Sequence, residues 1–289
     1  MTLRNSGQDN DDERIADLYA SVLMRGLDLD YAEGRFAVLY VNGRYYGLYD
    51  LKENQNEDWL ASRYNIDPDK TNVIRRNRTV LNGSNTQIKQ VYAIAQSRNM
   101  SSEENYEYFC QFVDPEAFID YIIAQSFCGN GDMFNQKLWH MNDYSVRVRP
   151  VFFDLDFAFG GSNASVLSAF FTGDGVASPD GSLTNMYIPT ALKKNAGWRE
   201  KFITRCAYLI NNHFDKSLEI FDELVAQMET EMKRHISRWH TPSSYSAWQG
   251  KIRNMRTVIS NRPKALARQM QNVFDVSASR MAELFPQWY

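Results

Sequence analysis

Apolar positions along the chain change their period near Asn85, dividing a strand-rich first part from a helical remainder. From Arg35 to Leu51 (RFAVLYVNGRYYGLYDL), two runs of β-branched and aromatic residues flank Asn42-Gly43. That dipeptide accepts positive φ at both central positions of a type I′ turn, so the pattern predicts a β-hairpin. Asn72–Leu81 reads as a second pair of short strands closed by Asn82-Gly83-Ser84, and Asn56–Tyr64 as a short helix stopped before Asp67-Pro68. Beyond Asn85, Ile88, Val91, Tyr92 and Ala95 recur at helical spacing. Ser101-Ser102-Glu103-Glu104 opens a second helix, and Asp114-Pro115-Glu116 a third, with Asp as cap and Pro at the first helical position. The apolar stripe of this third helix (Phe118, Ile119, Ile122, Ile123, Phe127) belongs in a core, and Gly129-Asn130-Gly131 ends it. Strands are predicted at Gln136–Met141 and Val146–Phe153, then a Gly/Ser-rich loop from Gly160 to Pro189, then helices over 194–213, 216–240, 245–260 and 262–273.

Strands and helices are thus segregated, which places the chain in the α+β class, with a β-rich part over 1–84 and a mainly helical part over 85–289. The 289 residues, 44% apolar and 23% charged, supply ample material for a buried core. Thirty-two Lys+Arg against 35 Asp+Glu give a net charge of −3, too balanced for a general nucleic-acid or anionic-membrane binder. No apolar run reaches the ~18–20 residues that span a bilayer. The polar start MTLRNSGQDNDDER does not read as a signal peptide. Cys110, Cys128 and Cys206 are isolated and form no zinc or disulfide framework. The charge is unevenly spread: Met232–Met270 holds nine basic residues and no acidic one, leaving 23 against 35, or −12, elsewhere. That segment is either the solvated face of C-terminal helices packed on an acidic body or, if Lys233, Arg234, Arg238, Lys251, Arg253 and Arg256 share a face near a cleft, a surface that prefers acidic substrates.

The chemistry-bearing stretch is Cys128–Gly161 (CGNGDMFNQKLWHMNDYSVRVRPVFFDLDFAFGG). Asp132 lies between a buried helix and a strand, with Asn135 three positions on. An apolar strand, Val151-Phe152-Phe153, then delivers Asp154 and Asp156, which alternation sends to one face. Three carboxylates and an amide approaching one point are costly without a neutralising cation, and hard oxygen donors suit Mg²⁺ sharing its shell with phosphate oxygens. Asp and Asn beside glycines are also ordinary turn residues, and Asp132 alone reads so. No HExxH, G-x-S-x-G, GxxxxGK[ST] or GxGxxG is present, and the aromatic residues read as core.

These motifs resemble the CotH (spore coat protein H) kinase-like proteins, an atypical protein-kinase family. The likeness runs through Leu3-Arg4-Asn5-Ser6-Gly7 with Asp9, Val41–Tyr49 with Leu51-Lys52-Glu53, Asn130-Gly131-Asp132, Asn135, Lys137, Trp139, Phe153–Asp156 with Phe159-Gly160, His235–Trp239 and Arg262-Pro263. The resemblance implies a two-lobed, protein-kinase-like fold, with ATP bound between the lobes and Mg²⁺ (or Mn²⁺) as cofactor. It implies transfer of phosphate to serine on a protein substrate, in an exported, cell-surface or spore-coat setting. Asp132 then accepts the substrate's proton, Asn135 positions metal or phosphate, Asp154 binds metal, and Asp156 is a second ligand or support. Arg75 or Arg76 stands where a phosphate-binding lysine is expected, with Glu53 as its acidic partner. In the family the segment like Leu3–Gly7 lies inside the N-lobe, so opening strands and a signal sequence are expected to be lacking here, leaving an unpaired sheet edge. A kinase-like binding protein without catalysis, and a transferase using ATP on another acceptor, are the alternative readings.

Overall fold

The computed structural model describes residues 1–162, 164–178 and 181–287. In chain order they form β1 (Thr2–Arg4), α1 (Ala16–Leu23), β2 (Asp30–Tyr31), β3 (Gly34–Val41), β4 (Arg44–Lys52), α2 (Glu57–Tyr64), β5 (Thr71–Arg75), β6 (Thr79–Asn82), α3 (Thr86–Ser97), α4 (Glu103–Phe109), α5 (Pro115–Cys128), β7 (Lys137–Met141) and β8 (Arg149–Phe152). Then come α6 (Tyr187–Lys194), α7 (Ala196–Asn212), α8 (Ser217–Trp239), α9 (Tyr245–Phe274) and α10 (Ala278–Leu284). The class is α+β, a small sheet region with a larger helical part, compatible with a two-lobed kinase-like fold.

The predicted hairpin is present: β3 and β4 pair antiparallel around Asn42 (φ 51°) and Gly43 (φ 75°), the two positive values that a type I′ turn demands. Strand β1 pairs with β4, opposing Arg4 to Asp50 and Thr2 to Lys52, so β1 and β3 are the edges of a three-stranded sheet. A second sheet, in the order β2-β8-β7-β5-β6, takes strands from both sides of residue 84. Alternation gives it two apolar faces. Val73, Trp139 and Val151 pack with Leu60 of α2, whereas Ile74, Leu138 and Phe152 join the main helical core. Helix α5 runs through that core; Asp114 caps it by accepting from Ala117 N at 3.2 Å, and Gly129 closes it at φ 59°.

Several elements differ from the sequence reading, the unpredicted α10 among them. Helix α1 falls in the part read as strands and loops. All its residues but Val22 are buried, so it carries no polar face to announce a helical period, and its Asp17 and Ser21 point into the fold. The segments 245–260 and 262–273 are one helix, α9, passing through Pro263. Pro263 removes one amide donor, but Met255, Ile259, Leu266, Ala267 and Met270 are buried on both sides of it, and this packing carries the helix past the break. Helix α6 begins within the end of the Gly/Ser-rich loop and runs past it; residues 163, 179 and 180 of that loop lie outside the described residues.

Candidate active site

The loop after α5 is held from within. Buried Asn130 donates from Nδ2 to Gln125 Oε1 (3.0 Å) and accepts at Oδ1 from Asp132 N (3.0 Å), while Asn135 N donates to Asp132 O (2.8 Å). Asn135 is the junction of the site. Its Nδ2 donates to Asp154 Oδ2 at 2.6 Å, and its Oδ1 accepts from Arg75 Nε at 2.8 Å and Arg76 Nε at 3.2 Å. Arg75 Nη2 stands 3.7 Å from Asp154 Oδ2. Thus Asp132, Asn135, Asp154, Arg75 and Arg76, brought from two loops and the end of β5, share one locality.

Strand β8 stops at Phe152, earlier than the pattern predicts, so the common face of Asp154 and Asp156 does not arise from strand alternation. Asp154 instead has φ 61°, a left-handed conformation that costs a non-glycine residue ~1 kcal/mol or more and persists only where neighbours enforce it. Arg4 is the chief neighbour. Its Nη2 lies 3.0 Å from Asp154 Oδ1 and 2.9 Å from Asp156 Oδ2, and its Nη1 lies 3.1 Å from Asp17 Oδ2. Asp156 also accepts from Gln8 N at 2.9 Å. The charge that satisfies the acidic pair in this structure is therefore a guanidinium.

Asp17 joins this locality to β4. Lys52 Nζ stands 2.7 Å from Asp17 Oδ2 and 3.1 Å from Ser21 Oγ, while Asp17 Oδ1 accepts from Leu155 N at 3.1 Å. Burial acts to raise the Asp17 carboxyl, but the charges of Lys52 and Arg4 and the hydrogen bonds from Lys52 and Leu155 N outweigh it, and the group is held below its ordinary value. Glu53, the expected partner of an arginine, does not fill that role: its Oε2 accepts from Glu33 N and Trp59 Nε1, both at 2.9 Å. Lys52, one position earlier and the last residue of β4, makes the buried ion pair. Arg4, Asp17, Lys52, Lys137, Phe153 and Asp154 line a cleft of about 170 Å³, whose wall Glu53 also joins.

Electrostatics around Asp154 suit proton transfer beside anionic groups. Burial, then the charge of Asp154, raises the Asp132 carboxyl, against Arg76 and a hydrogen bond with Asn135. A carboxylate tuned upward is a better proton acceptor. Lys137 packs its Nζ 4.3 Å from the centre of the Phe153 ring and donates to Gln55 O at 3.0 Å. Burial, then neighbouring Arg75, pushes it down to about 8, with Asp154 opposing. Arg75 sits directly across from Lys137 in the β5–β7 register, so two cations adjoin Asp154.

Among the described residues no three acidic, histidine or cysteine side chains converge as a self-sufficient metal cage. The chemistry of the donor set nonetheless fits Mg²⁺ or Mn²⁺, which take one or two carboxylates and complete their shells with water and phosphate oxygens. The Asp154 carboxylate and the Asn135 amide oxygen are hard donors, and both already attract cations, the guanidiniums of Arg4, Arg75 and Arg76.

Sequence reasoning assigned no role to Arg4, Asp17, Lys52 or Lys137. One signal was available: Asp17 is the only charged residue in the run Ile15–Met24, and a lone acid in an apolar helix needs a partner. The basic C-terminal segment is largely tied to the body. Lys251 pairs with Asp12, Arg256 with Asp222, and Arg234 and Arg238 lie over Tyr45 and Tyr46 of β4.

No helix among the described residues is long and apolar enough to cross a membrane. A search of curated proteins finds no match to the chain. A scan of family models matches "CotH kinase protein" over residues 1–266, a span that includes β1, both sheets, the Asp132 loop, the Asp154 turn and most of α9. On that match the chain belongs to the CotH kinase family.

Proposed function

We propose that this chain transfers the γ-phosphate of ATP to a serine hydroxyl of a protein substrate, with Mg²⁺ or Mn²⁺. Membership of the kinase family supports the kinase-like reading. The observation that carries the rest is Asn135, which ties Asp154 to Arg75 and Arg76 beside a carboxyl, Asp132, tuned toward proton acceptance. Asp132 takes the proton of the attacking hydroxyl. Arg75, Arg76 and Lys137 are the side chains available to the charge of the nucleotide phosphates, a task of positioning and neutralisation that phosphoryl transfer chiefly requires. Asp154 and Asn135 would hold the divalent ion, which when bound supplies further charge neutralisation on the phosphates.

Asp132→Ala and Asp154→Ala are each expected to abolish ³²P transfer from [γ-³²P]ATP while circular dichroism stays unchanged. Transfer retained in both variants would end the assignment. One observation favours a binding-only reading: Arg4, Asn135 and Arg75 already engage both oxygens of Asp154. A thermal-stability titration separates the two, because Mg·ATP must raise the apparent stability of a protein whose native state binds it.

A further inference from the structure

Arg4 touches an oxygen of Asp154, the carboxylate that the proposed metal role requires, and three observations show that this contact is built into the fold. Its guanidinium spans three carboxylates, Asp17, Asp154 and Asp156, at 2.9–3.1 Å. It is delivered by β1, whose pairing with β4 fixes its place opposite Asp50. The chain next to it is shaped to admit the bridge: at Gly7 (φ +62°) a Cβ would stand 2.1 Å from Asp156 Oδ2 and 2.8 Å from Arg4 Nη2. Any side chain there would collide with both ends of the Arg4–Asp156 bond.

We propose that Arg4 is an intrinsic counter-cation of the acidic pair, competing with the divalent ion for Asp154 and thereby setting the ion's affinity. The inference rests on the reading of Asp154 as a metal ligand. A unit positive charge about 3 Å from an oxygen strongly opposes a second cation on that oxygen unless the first withdraws. Arg4 has somewhere to withdraw to, because Asp17 remains as its third partner. The guanidinium thus keeps Asp154 in its left-handed turn and yields only to an ion of higher charge density. A purely scaffolding Arg4 predicts the opposite sign: without it the turn would relax and the ion would bind more weakly.

The test is Mn²⁺ binding to the full chain, read from the electron paramagnetic resonance of the free ion at fixed ionic strength, with no turnover measured. Arg4→Met should bind Mn²⁺ at least about tenfold more tightly than the parent, and Arg4→Lys should fall between them, because a lysine supplies a single point charge where arginine bridges two carboxylates. In melting experiments Arg4→Met should start lower than the parent and gain more from Mn²⁺. Unchanged or weaker Mn²⁺ binding in both variants overturns the inference. If Arg4→Met does not fold, Arg4→Lys carries the comparison, and parental affinity in it counts as refutation. Asp154→Ala separates the premises: binding that survives in it, or that is missing from the parent, defeats the metal reading itself, whereas binding lost with Asp154 but indifferent to Arg4 defeats only the inference.

Discussion

Lys52 and Glu53 illustrate how much a single strand position decides. Lys52 ends β4 and Glu53 follows it; both charged, they send their side chains to different partners: Lys52 into a buried pair with Asp17, Glu53 to the amide of Glu33 and the indole of Trp59. Removing one partner of a buried pair leaves the other charge without compensation, which costs about 3–5 kcal/mol. Asp17→Ala is therefore expected to lose roughly that much stability in urea unfolding, and Lys52→Met less, because Arg4 still pairs with Asp17. The double variant should lose less than the sum, because its second substitution removes the charge stranded by the first. Additive losses would show that the two side chains do not act as a pair. The sequence displayed every residue of this ion network, but Arg4 and Asp17 lie outside the stretch that announces chemistry, and only the β1–β4 register and the burial of α1 bring them to Asp154.

Between elements, the docking of the β3–β4 hairpin on α8 turns on one histidine. Leu48 N donates to His235 Nδ1 at 2.9 Å, and the neighbouring Gly47 (φ 143°) lies so close that a Cβ would stand 2.9 Å from Trp239 Nε1 and 3.0 Å from His235 Nδ1. The accepting nitrogen carries no proton, and burial, with Arg14 nearby, pushes the imidazole down to about 4. The unfolded chain then binds a proton near pH 6.5 that the folded chain refuses until about pH 4, so this residue's contribution is complete above 6.5 and falls away between those values. Asp50 and Glu13, both pushed up to about 7 chiefly by burial, act in the other direction and gain stability as the pH drops. The difference between parent and variant isolates the histidine. His235→Gln, whose amide oxygen can accept from Leu48 N, should show a shallower loss of urea midpoint from pH 6.5 to 4 than the parent. Parallel pH profiles would refute this. The hairpin itself was legible because Asn-Gly between alternating runs encodes a local turn; its seat on α8 was not, because the contact joins residues nearly two hundred positions apart.

At the scale of the molecule, the long helix α9 reaches back to steady the Asp132 loop. Arg262 of α9 is fully buried without a carboxylate, and burial pushes it down to about 10. Its guanidinium donates instead to main-chain oxygens: Phe127 O at 2.6 Å, Ser126 O, Ser162 O at 3.1 Å and Ala164 O at 2.8 Å. Two of these belong to the last turn of α5, where unpaired carbonyls and the negative end of the helix dipole welcome a cation. The next residue is Gly129, where a Cβ would come within 3.2 Å of the Arg262 Cζ, and Asp132 follows three positions on. The resemblance singled out Arg262-Pro263, yet periodicity placed a helix break there, because the constraint that holds the helix through Pro263 lies in the core and not in the local sequence. Arg262→Met should strand Phe127 O, while Ser126 O keeps Gly129 N and Ala164 O keeps Gln269 Nε2, lowering stability by about 1–3 kcal/mol. Its sharper consequence is local: hydrogen exchange at the amides of Gly129–Asp132 should quicken more than at the β5–β7 ladder. Under the proposed function the same variant should lose phosphate transfer through kcat, because an unsteady Asp132 would still permit nucleotide to bind. Equal loss of protection throughout the molecule would mean that Arg262 supports the fold alone and has no particular hold on the Asp132 loop.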